Sequence, residues 1–344
     1  MFVSNIHNYK SKRIILTFFL ILLFSPFLLK AQHKEVSPEK GEGIYRLLTR
    51  NGLSASKYMD AFIELNKDRL GKGNCLFTGV KYKLPGTSAE APASEATTTR
   101  EIMQFDIFGE KYKEVEITGN RLEGAVYYLV AGHGGPDPGA IGIYGNHKLC
   151  EDEYAYDVTL RLARNLIGEG ATVYMITRDN NGIRDDSYLP PDKSEKCYPN
   201  LRIPINHLRR LRQRTNAVNL LYQKHKGRFQ RMIAIHLDSR SRGENIDVFF
   251  YHDRRSNNGR KAAITLQKTF KEKYDHHQPG RGYRGTVSSR NLYVVRNTYP
   301  VAIYIELGNI NHYRDQQRFI LTNNRQALAN WLTEGLITDF ETNK

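Results

Sequence analysis

Residues Ala125–Ala131 read AVYYLVA, an uncharged run that leads directly into the glycine-rich segment Gly132–Gly135. A short, continuous apolar run that is bounded by glycines is typical of a β-strand buried on both faces. Strands of this kind form parallel sheets in which helices cover both faces. The stretch therefore predicts an α/β domain in which residues 125–131 form a central strand.

Strand and helix patterns alternate along the rest of the chain. The alternation, with continuous apolar strands, predicts a central, mostly parallel, twisted sheet with helices on both faces. A β-hairpin over residues 101–124 is expected to lead into this main domain, which spans residues 125–344. The further predicted elements are the helix Tyr154–Leu166, the strand Thr172–Ile176, the helix Leu201–Leu221, the strands Met232–Ile235 and Ile246–Tyr251, the helix Lys261–Tyr274, the strands Leu292–Val295 and Val301–Ile305, and the helix Gln316–Asp339.

Three ionisable residues follow predicted strands at the point where each strand ends. His133 comes one glycine after residues 125–131, His236 follows Met232–Ile235, and Glu306 follows Val301–Ile305. In open α/β sheets, ligands bind beyond the carboxyl ends of the parallel strands. We therefore expect these three side chains to converge on one crevice.

Imidazole nitrogens and carboxylate oxygens are ligands that zinc takes in proteins, and a catalytic zinc site keeps one position for water. Zinc lowers the pKa of a bound water to about 7 and polarises carbonyl groups, and a further carboxylate can act as general base. Gly134 and Gly135 allow the backbone to turn sharply and approach a ligand closely after His133. The pattern therefore indicates a zinc hydrolase.

The N-terminus has the pattern of an export signal. A basic segment, Lys10–Arg13, precedes the apolar run Ile14–Leu29, and this order is typical of a signal peptide. The run is short for a membrane-spanning helix, which needs about 20 apolar residues. We expect a signal peptide over residues 1–31, with an uncleaved anchor as the alternative. Both predict export to the periplasm or cell envelope, with membrane contact only through the leader.

The formal net charge is +15 and the sequence pI is about 9.6. Such a charge favours a polyanionic partner, which could be nucleic acid, anionic lipid or a wall polymer. Because the leader predicts export, we expect no nucleic-acid partner. The basic cluster Arg209–Arg214 is accordingly expected to be a solvated helix face.

The three cysteines are too few for a disulfide framework. Two alternatives remain open. Either Cys150 pairs with Cys197 in an oxidising compartment, or all three cysteines, including Cys75, are free and buried.

Residues 86–100 read GTSAEAPASEATTTR, a composition typical of a flexible linker. They separate the main domain from residues 35–85, where two helices (Gly43–Leu48 and Ala55–Leu65) and then a strand (Gly79–Pro85) are predicted. This order resembles the LysM module, a β-α-α-β carbohydrate-binding unit. An unrelated small helical pro-segment is the alternative.

Six blocks of the main domain resemble one known family. They are Ala131–Gly142, Glu151–Leu162, Val173–Arg178, Arg214–Asn219, Ile233–Asp238 and Pro300–Asn311. The first resembles the signature D-P-G-H-G-G-x-D-x-G-A-x-G of the zinc-dependent N-acetylmuramoyl-L-alanine amidases of the Amidase 3 family, and the others resemble this family's further motifs in the family's order.

The resemblance implies roles for individual residues. His133, Glu151 and His236 fall on the family's zinc ligands, and Glu306 falls on its catalytic glutamate. Glu153 is the alternative to Glu151 as third ligand, because the two lie close together in one acidic cluster at the predicted start of a helix. Acidic residues at such a position also complement the helix dipole without binding a metal. The implied substrate is peptidoglycan, in which the amide between N-acetylmuramic acid and the L-alanine of the stem peptide is hydrolysed, for wall turnover or daughter-cell separation. The sequence does not identify an activator protein.

The chain also departs from the family pattern. Val130 and Ala131 replace Asp-Pro, and Asp238 replaces Asn, while Asn180–Pro204 is a long insertion rich in Asp, Pro and Lys. Asp137 is expected to shape its loop. Two alternative functions remain: a peptidoglycan-binding protein that has lost catalysis on an amidase fold, and a zinc hydrolase that acts on another amide.

Overall fold

The computed structural model describes residues 33–39, 42–53, 55–71, 74–86, 101–239 and 243–344. The predicted signal peptide lies outside the described residues, as does the predicted linker apart from Gly86. No helix in the described ranges combines the length and apolar character that crossing a lipid bilayer requires.

The N-terminal residues form a small unit with its own apolar core. Strand β1 (Glu35–Val36) is followed by helices α1 (Ile44–Arg50) and α2 (Ala55–Leu65) and by strand β2 (Tyr82–Lys83), which pairs antiparallel with β1. Asn66 joins the end of α2 to β2, because its side chain donates hydrogen bonds to the carbonyls of Phe62 and Lys83 and accepts one from the Lys83 N–H. The core side chains are Ile44, Leu47, Leu48, Phe62, Tyr82 and Leu84.

Two short antiparallel strands precede the main domain, β3 (Ile102–Gln104) and β4 (Glu114–Glu116). The main domain then contains β5 (Ala125–Ala131), β6 (Ile141–Tyr144), β7 (His147–Cys150), α3 (Glu151–Gly168), β8 (Thr172–Met175), β9 (Thr177–Arg178), β10 (Lys196–Cys197), β11 (Leu201–Arg202), α4 (His207–Lys224), β12 (Phe229–Asp238), β13 (Phe249–His252), α5 (Asn257–His277), β14 (Val287–Ser289), α6 (Tyr293–Asn297), β15 (Val301–Asn309), α7 (Tyr313–Ile320) and α8 (Thr322–Asn343).

A six-stranded sheet in the order β14-β13-β15-β12-β5-β8 forms the centre of the domain. Strands β15, β12, β5 and β8 are parallel to one another, while β13 pairs antiparallel with β15 and parallel with β14. The α/β prediction with a mostly parallel sheet is therefore confirmed.

Helices cover the sheet on both faces, as the apolar character of β5 requires. Tyr127 and Leu129 belong to the core that contains side chains of α3, α5 and α8. Tyr128 and Val130, which alternate with them along β5, belong to the core that contains side chains of α4 and α6. Because successive side chains of a strand point to opposite faces, a strand buried on both faces needs apolar residues at every position.

Some predicted elements were wrong. Leu292–Val295 was predicted as a strand, but Tyr293–Asn297 is helical. The helix predicted from Leu201 begins at His207, because Leu201 and Arg202 form a strand that pairs with β10. The predicted C-terminal helix is two helices, α7 and α8. All three cysteines are unpaired; Cys150 and Cys197 are buried and Cys75 is exposed.

Candidate metal centre

The carboxyl ends of three neighbouring parallel strands meet at one edge of the central sheet. His133 lies two residues beyond the end of β5, while His236 and Glu306 lie near the ends of β12 and β15. His236 and Glu306 occupy paired positions of β12 and β15. Because side chains at paired positions of adjacent strands lie on the same face of a sheet, both point to the same side of this edge.

Glu151 lies between the two histidines. Its Oε1 is 2.8 Å from Nδ1 of His236, and its Oε2 is 3.2 Å from Nε2 of His133. One ligand-type atom from each of the three residues lies within 4.8 Å of the other two. Ligands about 2.0–2.2 Å from a tetrahedral zinc are separated by roughly 3.3–3.6 Å, so this spacing suits a common ion.

The start of α3 fixes the position of the Glu151 carboxylate. Glu151 is the first residue of the helix and is 4 % exposed. The backbone N–H groups of Ala140 and Leu237 donate hydrogen bonds to its two oxygens, at 2.9 and 3.1 Å. Glu153 lies elsewhere, because its carboxylate pairs with Arg184 at 2.7 Å. The structure thus brings Glu151, and not its rival Glu153, between the histidines.

His133 is held in a backbone conformation that residues with a side chain seldom adopt, with φ = 57°. Its Nδ1 lies 2.9 Å from Oδ2 of Asp137, which Arg210 contacts in turn at 2.6 Å. Carboxylates in this position orient metal-binding histidines. Asp137 also accepts a hydrogen bond from the N–H of Gly139. It therefore both closes its own loop and directs Nε2 of His133 towards Glu151.

The three side chains influence one another's protonation. Burial alone would raise the pKa of Glu151, but its contacts with both histidines outweigh burial and hold the pKa below the usual range. Burial alone would lower the pKa of His133, but Asp137 and Glu151 raise it to about 10. Burial lowers the pKa of His236 despite Glu151. The group therefore keeps an ionised carboxylate, the form that binds metals.

Two glycines, Gly132 and Gly139, lie against the side chains of the candidate metal ligands. A β-carbon on Gly139 would lie 2.7 Å from both Oε2 of Glu151 and Cδ2 of His133. A β-carbon on Gly132 would collide with the ring of His236. Glycine is therefore required at both positions for the histidines and the carboxylate to approach each other.

The prediction of a solvated face for Arg209–Arg214 was wrong for two of its arginines. Arg210 and Arg214 are buried, and Arg214 donates a hydrogen bond to the carbonyl of His133. Both support the loop that carries His133. Their spacing of four residues places them on one side of α4, a signal that the sequence contained. Tyr304, whose ring stacks on His236 with centroids 4.3 Å apart, was also missed.

The insertion Asn180–Pro204 packs against the same loop. Its strand β10 pairs antiparallel with both β9 and β11. Oε2 of Glu195 accepts a hydrogen bond from the N–H of Gly135 at 2.7 Å. A β-carbon on Gly135 would lie 3.0 Å from Cβ of Ile203. The insertion therefore forms one wall beside the candidate centre.

The chain is similar to known proteins in both sequence and structure. The family model for N-acetylmuramoyl-L-alanine amidases (Amidase_3) matches residues 128–338, more than half of the chain. The probable cell wall amidase LytH of Staphylococcus aureus is 29 % identical over 246 residues, which cover 67 % of this chain and 62 % of that relative. The matched region thus spans less than two thirds of the length of this curated relative.

Two solved structures are similar at low sequence identity. The N-acetylmuramoyl-L-alanine amidase from Clostridium difficile 630 is 19 % identical with a TM-score of 0.48, covering 65 % of this chain and 100 % of that chain. The CwlD amidase from Clostridioides difficile, in complex with the GerS lipoprotein, is 15 % identical with a TM-score of 0.48, covering 63 % of this chain and 99 % of that chain. On the family match over residues 128–338, the chain belongs to the N-acetylmuramoyl-L-alanine amidase (Amidase_3) family.

Proposed function

We propose that this chain is an exported zinc-dependent amidase that hydrolyses the bond between N-acetylmuramic acid and the L-alanine of the peptidoglycan stem peptide. The observation that carries the proposal is the convergence of His133, Glu151 and His236 beside Glu306, in a chain that belongs to an amidase family. The S. aureus relative is named a probable cell wall amidase, which supports the same class of substrate.

The donor set fits zinc. Two imidazoles and one carboxylate are a known ligand set for catalytic zinc, and three protein ligands leave a position open for water or substrate. Nε2 of His133 and Nδ1 of His236 each contact one oxygen of Glu151, while Asp137 holds the other nitrogen of His133. When bound, zinc would supply the electrophile that polarises the scissile carbonyl and acidifies a water molecule.

Glu306 is proposed as the general base. The residue is 6 % exposed, and its side chain lies on the same face of the sheet as that of the neighbouring His236. In this position its carboxylate would take a proton from the attacking water and then transfer it to the departing amine of L-alanine. His133 and Glu151 would hold their positions throughout the reaction, because Asp137 fixes His133 and the backbone N–H groups of Ala140 and Leu237 fix Glu151.

The N-terminal unit is proposed to bind the glycan of the cell wall in the manner of a LysM module. Its order is β-α-α-β, and Asn66 links the end of the second helix to the closing strand. A full-length chain should sediment with purified sacculi more completely than a chain that begins at residue 101. Equal sedimentation of the two would contradict a binding role for this unit.

The proposed reaction is tested on purified sacculi. The wild-type chain should contain one zinc ion and release free stem peptides with a new L-alanine amino terminus. A variant with His133→Ala and His236→Ala should lose both properties, whereas His207→Ala, which changes an exposed histidine of α4, should keep them. Activity and zinc that persist in the double variant would refute the proposal. Sedimentation of the wild-type chain with sacculi but without peptide release would instead identify a binding protein.

A further inference from the structure

A group of five carboxylates lies between the first turn of α3 and the insertion. Oxygens of Asp152, Glu153 and Glu195 lie within 4.8 Å of one another, and so do oxygens of Asp179, Asp192 and Glu195. Glu195 belongs to both triads, so that the two triads adjoin each other, and their five residues are called here the insertion cluster. None of its members is a ligand in the proposed zinc centre.

Four of the five residues of the insertion cluster are buried, and the fifth, Asp192, is half-buried. Asp152, Glu153 and Glu195 are 2 %, 1 % and 3 % exposed. Within residues 101–239 and 243–344, one ion pair involves this cluster, and it joins Arg184 to Glu153. Burial of an ionised carboxylate is costly unless a cation or several hydrogen bonds compensate for it. Among the described residues, Arg184 is therefore the one positively charged side chain that pairs with the cluster.

Two carboxylate oxygens in the cluster lack a partner altogether among the described residues. They are Oδ2 of Asp152 and Oδ2 of Asp179, both buried. The second oxygen of each accepts hydrogen bonds: that of Asp152 from the Glu153 N–H, and that of Asp179 from Asn180 and Ser194. Because buried acceptors in native proteins almost always have a partner, these two oxygens point to a ligand.

We propose that the insertion cluster is a second cation site, distinct from the zinc centre, and that it binds Ca²⁺. The donors that it offers are carboxylate oxygens, which hard cations prefer over the softer transition metals. Ca²⁺ takes six to eight oxygen ligands in flexible geometry, whereas Mg²⁺ demands a small octahedron and retains several waters. Each triad offers three carboxylates that can supply one or two oxygens apiece, and these suit the flexible geometry of Ca²⁺ better than the octahedron of Mg²⁺.

The bound cation would tie three parts of the chain together. Asp152 and Glu153 come from α3, and Asp179, Asp192 and Glu195 come from the end of β9 and the insertion. Glu195 also reaches the loop that carries His133, through the N–H of Gly135. Ca²⁺ would thus stabilise the wall that the insertion forms. The inference does not depend on the reaction proposed above.

The test is a Ca²⁺ titration of the zinc-loaded full chain, followed by thermal unfolding. Saturating Ca²⁺ should raise Tm by about 5 °C, and Mg²⁺ at the same concentration should raise it less. Tb³⁺, a luminescent substitute for Ca²⁺, should be sensitised by Tyr156, whose hydroxyl donates a hydrogen bond to the Asp179 carbonyl at 3.0 Å. Added Ca²⁺ should abolish this luminescence, and the zinc content should not change.

Glu195→Gln changes the residue shared by both triads and should remove the Ca²⁺ shift and the Tb³⁺ signal. Asp179→Asn provides a second variant should Glu195→Gln fail to fold. Glu272→Gln, an exposed position of α5, is the matched control and should respond like the wild type. The proposal is overturned if Ca²⁺ does not raise the Tm of the wild type, if Mg²⁺ raises it equally, or if both cluster variants keep the full shift.

Discussion

His236 and Glu306 are register partners on adjacent parallel strands, so that the backbone of the sheet itself places a proposed metal ligand beside a proposed general base. Adjacent strands lie about 4.8 Å apart. The relation is therefore fixed by the hydrogen bonds of β12 and β15 rather than by a flexible loop. A change to one side chain should leave the position of the other unchanged.

Glu306→Gln is expected to abolish most of the amidase activity while zinc remains bound. The amide keeps the size of the side chain but cannot accept a proton, and positioned general bases contribute about 10²–10⁴-fold to rate. Peptide release from sacculi and zinc content per chain measure the two effects. Glu334→Gln, at a partly exposed position of α8, is the control and should behave like the wild type. Zinc loss in Glu306→Gln would mean that Glu306 supports the metal centre rather than the chemistry.

Glu151→Gln and Glu153→Gln should separate the two candidates for the third ligand. Glu151 contacts both histidines, whereas Glu153 pairs with Arg184. We expect Glu151→Gln to weaken zinc binding more than about 100-fold, the upper range for the loss of an outer-shell partner. Glu153→Gln should lower Tm but retain zinc. Zinc content after dialysis decides between them, and the reverse result would assign the ligand to Glu153.

Zinc affinity should rise with pH between pH 6 and pH 8. In the metal-free chain, Asp137 and Glu151 raise the pKa of His133 to about 10, although burial opposes the shift. Zinc must displace this proton, so that affinity falls as pH falls, by about tenfold per unit for one proton. Glu151 adds no pH dependence between pH 6 and pH 8, because its pKa is lowered and its carboxylate is already ionised there. Competition with a zinc-binding dye measures the slope.

Asp137→Asn serves as the comparison for this slope. Removal of the Asp137 charge should lower the pKa of His133, and the pH dependence of zinc affinity should become shallower. A pH-independent affinity in the wild-type chain would contradict the proton competition.

Asp157→Asn should destabilise the main domain. The Asp157 carboxylate is fully buried and pairs with Arg161 and Arg325 at 2.8 and 2.6 Å. Breaking a buried ion pair costs about 3–5 kcal/mol of the free energy of unfolding, because a charge remains without compensation. Urea unfolding measures the loss. Asp253→Asn breaks an ion pair with the exposed Arg255 and should cost only about 0–1 kcal/mol. Equal losses in the free energy of unfolding for the two variants would show that burial of an ion pair does not determine its contribution to stability.

The central sheet could be predicted because its strands are buried on both faces and are therefore continuous apolar runs. β5 matched the predicted range at both ends. Leu292–Val295 has the same appearance, but Leu292 precedes a short, partly buried helix that contains the other three residues. Four apolar residues carry no period that distinguishes helix from strand. The positions of His133, His236 and Glu306 followed from the strand ends, which made their convergence predictable.

Other parts of the candidate site depend on contacts between distant segments. The position of Glu151 between the histidines results from the packing of α3 against β12, and three consecutive acidic residues do not reveal which of them points there. The insertion cluster brings together Asp152 and Glu195, which are more than forty residues apart in the sequence. From its composition alone, the insertion was interpreted as a departure from the family pattern and not as a binding site. The only sign in the sequence that Arg210 and Arg214 are buried was their separation by four residues, which places them on one side of a helix.

The first turn of α3 positions side chains for both proposed cations. Successive residues rotate by about 100° around a helix axis, which is why Glu151 faces the histidines while Asp152 and Glu153 face the insertion. Occupation of one proposed site would therefore hold in place the same turn of helix that carries ligands of the other. Thermodynamic linkage then requires reciprocity: if Ca²⁺ tightens zinc binding by some factor, zinc must tighten Ca²⁺ binding by that same factor. The affinity of the chain for zinc would then depend on the concentration of Ca²⁺ around it.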